Sequence, residues 1–315
     1  MNSYIAVDVG GTQIRVAVYP DEGITALRMK KVGTVGEGTP VERIIATIRE
    51  LWPTDGRENV KAIGICVPGP VDPEQGLIYN TANIPGWENL PMKKILEAEF
   101  GVPTFLGNDA NLAGLAEWQF GAGRGHKNMI YFTISTGVGG GVICDGHMLL
   151  GNLGLGAELG HVFVTDAEDA PPCGCGQKGH LESFASGTGI AWFVNHELEQ
   201  GRESLLAGKG KVTAKDVAAA AKAGDPLALE AFARASKYLT LAISNYLHIF
   251  NPSILIFGGG VSTVGDLLFQ PVRENLPKFA FAPAYVENLR LMPAELGDEV
   301  GLLGSLAVAK MSMGD

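Results

Sequence analysis

The sequence has little cysteine and no surplus of positive charge. It contains four cysteines in 315 residues, and 24 lysines and arginines stand against 34 aspartates and glutamates, which gives a formal net charge of -10. This acidic balance argues against a nucleic-acid groove, although backbone amides and a divalent cation can still hold phosphate locally. With 46% hydrophobic and 18% charged residues, the chain has an ordinary globular composition and is long enough for two core-forming domains.

Long hydrophobic runs and targeting segments are also absent. No stretch of 18 apolar residues runs without a breaker, and MNSY leads directly into the apolar run IAVDVG without a basic segment or a cleavage site. The sequence therefore predicts no membrane span and no export. We expect a cytoplasmic protein that has neither nucleic-acid nor membrane partners.

Two common phosphate-binding motifs are missing, GxxxxGK[ST] and a GxGxxG that opens a helix after the first strand. Neither a Walker P-loop nor a dinucleotide-binding Rossmann site therefore fits. Three glycine-rich turns after apolar runs are present instead. They read Asp8-x-Gly10-Gly11-Thr12-x-x-Arg15, Thr136-Gly137-Val138-Gly139-Gly140-Gly141 and Gly258-Gly259-Gly260.

Glycines in such turns let a phosphate, an adenine or a ribose approach the backbone closely, and the Asp8 carboxylate could hold magnesium. Each turn taken alone is equally compatible with a plain hairpin or loop. Because all three follow predicted strands, together they predict a nucleotide site built from strand-end turns.

The segment from Glu158 to Glu182 carries the most specific pattern. It places His161, Cys173, Cys175 and His180 in a spacing suited to one tetrahedral zinc ion, and imidazole and thiolate are ligands that zinc prefers. We predict a structural metal that pins a loop rich in glycine and proline. The alternatives are free thiols beside unrelated histidines, or a disulfide, which would close a strained ring.

The other two cysteines lie in apolar, strand-like runs. Cys66 is in AIGICVPG and Cys144 is in GGGVICDG. We expect both to be buried thiols that act as small hydrophobic side chains without a chemical role.

Apolar periodicity predicts an α/β layer followed by a helical region. Residues 4–9 and 13–19 form a predicted hairpin, and a helix over 41–51, a strand over 60–67, a helix ending at Gly101 and a short strand over 103–107 follow. A second hairpin, MIYFTIST followed by GVGGGVICDG, resembles the first, so two related halves are plausible. TAKDVAAAAKAG, DPLALEAFARASKYLTLAISNYLHIF and DEVGLLGSLAVAK are predicted helices, and SILIFGGG is a predicted strand.

The pair Asn108-Asp109 lies between a predicted strand and the helix-like run ANLAGLAEWQF. A simple helix cap is one interpretation, because both residue types are preferred at that position. The functional interpretation is that the helix N-terminus keeps Asp109 ionised, so that it accepts the proton of a hydroxyl attacking a γ-phosphate. The two roles are compatible.

A series of motifs covers nearly the whole chain in a fixed order: DVGGTQIR, PGPVD, NIPGW, Asn108-Asp109, STGVGGG, ELGH, CGCG, HLE and FGGG. In this order the sequence resembles the ROK family (repressors, open reading frames and kinases) within the actin, hexokinase and Hsp70 ATPase superfamily. The resemblance implies an α/β fold of two actin-like ATPase (ribonuclease H-like) domains with an interdomain cleft. A small domain would comprise residues 1–107 plus 296–315, with the terminal helix returning to it. A large domain of residues 108–295 would carry the zinc loop and a dimerisation surface.

The resemblance further implies an ATP-dependent hexose kinase that phosphorylates glucose at the 6-hydroxyl, with Mg²⁺ accompanying ATP, structural Zn²⁺, and assembly as a homodimer or homotetramer. Asp109 would be the catalytic base and would also contact the sugar. The other positions that match the sugar pocket are Gly69, Asn83, Asn108, Glu158, His161 and Glu182. His161 would use one ring nitrogen for zinc and the other for the sugar, and Glu182 would reach the anomeric end.

The nucleotide side follows from the same three turns. The resemblance places Asp8, Gly11, Thr12, Thr136, Gly137, Gly259 and Gly260 there, and Gly10, Arg15, Gly139 and Gly258 complete the turns. Asp8 would act on magnesium through water.

One position departs from the family pattern Cys-Gly-Cys-Gly-x-x-Gly-Cys-x-Glu, because His180 stands where the last cysteine is usual. A Cys₂His₂ set is adequate for zinc, so we predict that the site survives. If His180 pointed away, only three protein ligands would remain and the metal would be labile.

Alternatives to a glucose kinase remain open. NIPGW favours glucose, but a few pocket side chains decide selectivity, so a kinase for N-acetylmannosamine, N-acetylglucosamine or fructose is possible. A non-catalytic, sugar-responsive regulator is a further alternative. We expect catalysis, because Asp109 is present and because a first strand at about Tyr4 leaves no room for a preceding helix-turn-helix.

Overall fold

The computed structural model describes residues 1–54, 59–81 and 84–314. In these ranges the strands are β1 (Asn2–Val9), β2 (Gln13–Pro20), β3 (Arg28–Gly33), β4 (Asn59–Val67), β5 (Val71–Asp72), β6 (Leu77–Asn80), β7 (Glu88–Leu90), β8 (Thr104–Asn108), β9 (Met129–Ile134), β10 (Val138–Cys144), β11 (His147–Met148), β12 (Ile254–Gly258) and β13 (Arg290–Pro293). The α-helices are α1 (Pro40–Leu51), α2 (Met92–Phe100), α3 (Asp109–Phe120), α4 (Glu182–Ala185), α5 (Gly187–Glu199), α6 (Ala214–Lys222), α7 (Pro226–Phe250), α8 (Asp266–Phe279) and α9 (Val300–Met313).

Two five-stranded sheets share one topology. The first has the order β3-β2-β1-β4-β8 and the second has the order β11-β10-β9-β12-β13. In each sheet the first three strands along the chain pair antiparallel, the fourth pairs in parallel with the central strand, and the fifth pairs in parallel with the fourth. The similarity of the two predicted hairpins therefore extends to whole sheets, and the fold is the α/β arrangement of actin-like ATPases. A small antiparallel sheet, β5-β6-β7, lies between β4 and α2 in the chain.

The central strand β1 is buried on both faces. Tyr4, Ile5, Ala6 and Val7 are each 0% exposed, because helices cover the two sides of the sheet and leave no polar face. One cover is α9, which packs against β1, β4 and α3 and whose Ser305 hydroxyl donates to the Val7 carbonyl at 2.7 Å. The terminal helix thus lies on the N-terminal sheet, and the domain boundaries at 107/108 and 295/296 remain a prediction.

Local sequence signals fix the ends of two helices. α1 begins with a capping box formed by Thr39 and Glu42, which satisfies backbone donors that the first turn leaves free. α2 ends at Gly101 in the left-handed conformation, as the sequence predicted. Within the described residues, no helix combines the length and the apolarity needed to cross a membrane.

The two isolated cysteines differ in burial. Cys66 on β4 is 1% exposed, so the prediction of a buried thiol is confirmed. The same prediction is wrong for Cys144, which is exposed. Cys144 is the last residue of β10, and a turn with Asp145 in a positive-φ conformation follows directly, so the apolar run ends one residue too early to bury it.

Candidate active site

The parallel strands of the first sheet bring the predicted base, Asp109, and the predicted nucleotide-side residue Asp8 to one edge of the sheet. Asp8 on β1 is paired in register with Cys66 on β4, and the next β4 residue, Val67, is paired with Asn108 on β8. Asp8 and the Asn108-Asp109 pair therefore lie at the carboxyl ends of strands separated by one strand. This is the edge at which ligands bind in open α/β sheets.

Asn108 caps the helix that follows β8. Its side-chain oxygen accepts from the N–H groups of Ala110 at 2.9 Å and Asn111 at 3.2 Å, and its amide donates to the Gly69 carbonyl at 3.0 Å. Asn108 rather than Asp109 is thus the cap, and it connects the Pro68-Gly69-Pro70 loop to the start of α3. Asp109 is the first residue of α3 and accepts from the Ala110 N–H at 2.9 Å.

The Asp109 side chain is reachable by water but is surrounded by protein. Its pKa is raised to about 6, chiefly by desolvation and in addition by the charges of Asp8 and Glu158, while the Ala110 N–H opposes the shift. The Ala110 N–H at the start of α3 thus favours the ionised form of Asp109, but desolvation has the larger effect on its pKa. A carboxylate with a pKa near the working pH is suited to general-base catalysis.

Asp8 and Arg15 form an ion pair across the first hairpin. The Arg15 Nε donates to an Asp8 carboxylate oxygen at 2.8 Å, and its Nη1 donates to the Asp298 carbonyl at 2.6 Å. The intervening turn is held by Thr34, whose hydroxyl donates to the Gly10 carbonyl at 2.6 Å and whose N–H donates to the Thr12 carbonyl at 2.9 Å. Sequence analysis missed Thr34 because it lies beyond β3, far from the turn in the chain.

The second and third turns lie side by side. Gly258 at the end of β12 is in register with Thr133 on β9, and the Val261 N–H donates to the Ile134 carbonyl at 2.9 Å. Both turns border a cavity of about 1300 Å³, which is large enough for a nucleotide. Its lining includes Thr136, Gly187, Thr188, Trp192, Asn195, Lys211, Thr213, Gly260 and Thr263.

Several lining residues were not predicted from the sequence. Thr188 donates from its hydroxyl to the Thr136 carbonyl at 2.8 Å and so supports the second turn from the start of α5. Trp192 and Lys211 come from α5 and from the loop before α6. They belong to no strand-end motif, and only the three-dimensional packing of the helices brings them to the turns.

The four predicted metal ligands converge. One ligand atom from each of His161, Cys173, Cys175 and His180 lies within 4.8 Å of every other. The two Nδ1 atoms are 3.4 Å apart, Cys173 Sγ is 3.7 Å from His161 Nδ1, and Cys175 Sγ is 3.4 Å from His180 Nδ1.

These separations fit tetrahedral zinc. Bonds of about 2.0 Å to nitrogen and about 2.3 Å to sulfur give tetrahedral edges of about 3.3 Å between two nitrogens and about 3.5 Å between nitrogen and sulfur. His180 thus faces the other three ligands. The His161 Nε2 is left outside the cluster.

Two carboxylates flank the cluster. The exposed Glu158 precedes the short 3₁₀ turn that carries His161. Glu182 accepts from the Val138 N–H at 2.9 Å and from the Cys173 thiol at 3.4 Å. Glu182 thereby connects the metal loop with the second glycine turn. Asn83, the remaining predicted sugar residue, lies outside the described residues.

Comparisons with known proteins place this arrangement in a family. The sequence model of the ROK family matches residues 4–312, and the chain belongs to this family. It is 38% identical to a glucokinase of Thermotoga maritima over 98% of both chains.

Two solved structures are similar over the whole chain. A glucokinase of Streptomyces griseus in complex with glucose and AMPPNP is 31% identical, with a TM-score of 0.75 over 98% of this chain and 99% of that chain. A ROK-family transcriptional regulator, a homologue of the E. coli MLC protein, is 27% identical, with a TM-score of 0.86 over 99% of this chain and 78% of that chain. Both a kinase and a regulator thus share the fold.

Proposed function

We propose that this protein is an ATP-dependent hexose kinase that transfers the γ-phosphoryl group of ATP to the 6-hydroxyl of glucose. The observation that carries the proposal is the position of Asp109, whose pKa is raised to about 6, at the same strand edge as Asp8. The full-length similarity to the T. maritima glucokinase supports the choice of glucose.

Asp109 acts as the general base. At neutral pH its ionised form predominates, so it accepts the proton of the sugar hydroxyl as that oxygen attacks the γ-phosphorus and the bond to the β-phosphate oxygen breaks. The fixed N-terminus of α3 holds the carboxylate in place. Closure of the two domains would exclude water from the transfer.

The sugar is held by groups around Asp109. Asn108, Glu158, His161 and Glu182 supply polar atoms to hydroxyl groups, Gly69 lies beside Asn108, and the family resemblance adds Asn83 to the sugar-binding set. The side-chain oxygen of Asn108 already accepts from two N–H groups of α3, and one N–H of its Nδ2 donates to Gly69. Asn108 therefore contacts the sugar through the other N–H of Nδ2.

ATP lies along the three glycine turns, with its base and ribose in the cavity beside Gly260 and Trp192. Backbone N–H groups of the turns bind phosphate oxygens. Asp8 would hold, through water, the Mg²⁺ of ATP, and such an ion neutralises charge on the transferred phosphoryl group.

The metal loop is proposed as a structural zinc site. The fit of His161, Cys173, Cys175 and His180 to tetrahedral edges supports zinc. An ion bound there would stiffen the loop between Glu158 and Glu182 and so fix both carboxylates. A homodimer or homotetramer in the cytoplasm remains a prediction from the family resemblance.

A regulator is the second candidate, since one shares the fold with a TM-score of 0.86. The two are separated by measuring ADP release with MgATP and a panel of glucose, mannose, fructose, N-acetylglucosamine and N-acetylmannosamine. Turnover highest with glucose supports the proposal. Preference for an N-acetylated sugar or fructose would contradict the substrate, and sugar binding without any turnover would favour the regulator.

A further inference from the structure

Glu117 is a buried acidic residue that the proposed reaction does not use. It is 0% exposed, and its carboxylate accepts three backbone N–H groups, from Ala122 at 3.0 Å and from Glu295 and Leu296 at 2.9 Å each. A buried carboxyl group needs such partners because water is not available to it. Two of the three donors lie far along the chain, in the segment that joins β13 to α9.

Glu117 lies on the same helix as Asp109. Asp109 begins α3 and Glu117 follows about two turns later. α3 packs against β9 and β10 of the second sheet and, most extensively, against α9, so it lies between that sheet and the terminal helix. The Glu117 contact therefore attaches the segment at 295–296 to the helix that carries the proposed base.

The other end of this segment is attached to Asp8. The Asp298 carbonyl accepts from Arg15, which is paired with Asp8. At the start of α9 the backbone of Gly301 comes so close to Asp8 that a Cβ there would lie 2.7 Å from the Asp8 carboxyl carbon. The few residues from Glu295 to Gly301 thus connect α3 with the Asp8 carboxylate.

We infer that Glu117 is a positioning residue, which fixes the proposed base Asp109 relative to Asp8 by tying α3 to the segment that leads into α9. The inference rests on the roles proposed above for Asp8 and Asp109. A displacement of about 1 Å between reacting groups can cost about 10²-fold in rate, so a contact of this kind affects turnover without touching the substrate.

The test is Glu117→Gln, which keeps the size of the side chain. The glutamine amide has one oxygen and one NH₂ group. The NH₂ group must therefore face either the N–H of Ala122 or the N–H groups of Glu295 and Leu296, and two donors cannot bond to each other. We expect kcat to fall about 10²-fold and the half-saturating Mg²⁺ concentration to rise. Glucose affinity measured without nucleotide should change by less than about twofold, because Asp8 is not among the residues proposed to bind the sugar. Glu117→Asp, which retains both oxygens, should recover part of kcat.

Glu97→Gln is the matched control. Glu97 on α2 also accepts one backbone N–H, from Thr104 at 3.1 Å, at the end of β8 remote from Asn108. Loss of the hydrogen bond between Thr104 and Glu97 tests whether any broken bond between a carboxylate and the backbone produces the same effect. We expect its kcat and its Mg²⁺ dependence to match the wild type.

The outcomes separate this inference from the proposed function. Wild-type kcat and Mg²⁺ dependence in a folded Glu117→Gln protein would overturn the inference, as would an equal loss in Glu97→Gln, whereas a fully active Asp109→Asn would overturn the proposed base. If Glu117→Gln does not fold, Glu117→Asp decides, because its side chain is one methylene shorter and reaches the three N–H donors less well. The inference then requires a raised Mg²⁺ requirement and a lowered kcat, and wild-type values would overturn it.

Discussion

The carboxylate of Glu182 accepts a hydrogen bond of 2.9 Å from the backbone N–H of Val138. Glu182 begins α4, the helix after the metal loop, and Val138 begins β10 directly after the Thr136-Gly137 turn. A side chain that we propose binds the sugar thus also holds a turn that we propose binds the nucleotide. The two substrate sites of the proposed reaction are therefore mechanically joined.

Gly137→Ala should disrupt this connection. A Cβ at Gly137 would lie 2.4 Å from the Glu182 Oε2, so the carboxylate must move and the bond to Val138 is lost. We expect weaker binding of both glucose and ATP, measured by titration calorimetry. Gly174→Ala is the control, because its Cβ would meet Glu182 only at 3.9 Å. Normal affinity for both ligands in Gly137→Ala would contradict the connection.

Asp109 should make the protein less stable at neutral pH than at acidic pH. Its pKa in the folded protein, about 6, lies above the ordinary value of 3.8, so the folded state binds the proton more tightly than the unfolded state. Stability from this group is therefore lost as pH rises from about 4 to above 6. Asp109→Asn removes the effect, and its Tm relative to wild type should be higher at pH 7.5 than at pH 4.

The control for this measurement is Asp166→Asn, which neutralises an exposed carboxylate. Its Tm difference from wild type should change little between the two pH values. An equal pH dependence in both variants would show that the Asp109 environment does not penalise the charged form.

The metal loop should bind one zinc ion per chain. Because the four ligand atoms lie at tetrahedral separations, Cys173→Ser should lower the zinc content measured by elemental analysis, and His180→Cys should retain it, since a third thiolate also suits zinc. Cys144→Ser, which changes an exposed cysteine outside the cluster, serves as the control. Undiminished zinc in Cys173→Ser would refute the site.

Gly260 and Gly259 should respond differently to alanine. At Gly260 no described atom lies within 4 Å of a Cβ, whereas at Gly259 φ is +85° and a Cβ would lie 2.4 Å from the Ile134 carbonyl oxygen. Gly259→Ala should lower the Tm. Gly260→Ala should keep the wild-type Tm but fill space that ATP needs, and we expect its ATP Kd to rise about tenfold, or about 1.4 kcal/mol. Unchanged ATP affinity would place the nucleotide elsewhere.

The strand-end turns, the second hairpin and the metal loop were predictable because each depends on residues close together in the chain. Alternating or continuous apolar runs identified β1, β2, β4, β9, β10 and β12. β3 and β13 were missed. Their burial patterns, with Arg28, Lys30 and Arg290 partly or fully exposed, are those of edge strands with few apolar residues to mark them.

Other features depend on contacts across the fold. The buried role of Glu117 was not visible, because its partners Glu295 and Leu296 are far along the chain and use only their backbones. The pKa of Asp109 was likewise unpredictable, since the protein around it comes from several elements. Trp192 and Lys211 reached the site only through helix packing. α8 was missed because Pro271 and Pro277 lie within it, and proline disfavours a helix prediction.

The central claim is that Asp109 serves as the base for phosphoryl transfer to the 6-hydroxyl of glucose. The most direct measurement is ³¹P NMR of the product formed from glucose and MgATP by wild type and by Asp109→Asn, with glucose affinity measured for both. The proposal predicts glucose 6-phosphate as the product, a rate about 10²-fold to 10⁴-fold lower in the variant, and nearly unchanged glucose binding. Phosphorylation at another hydroxyl, or an Asp109→Asn variant that keeps most of its rate, would contradict it.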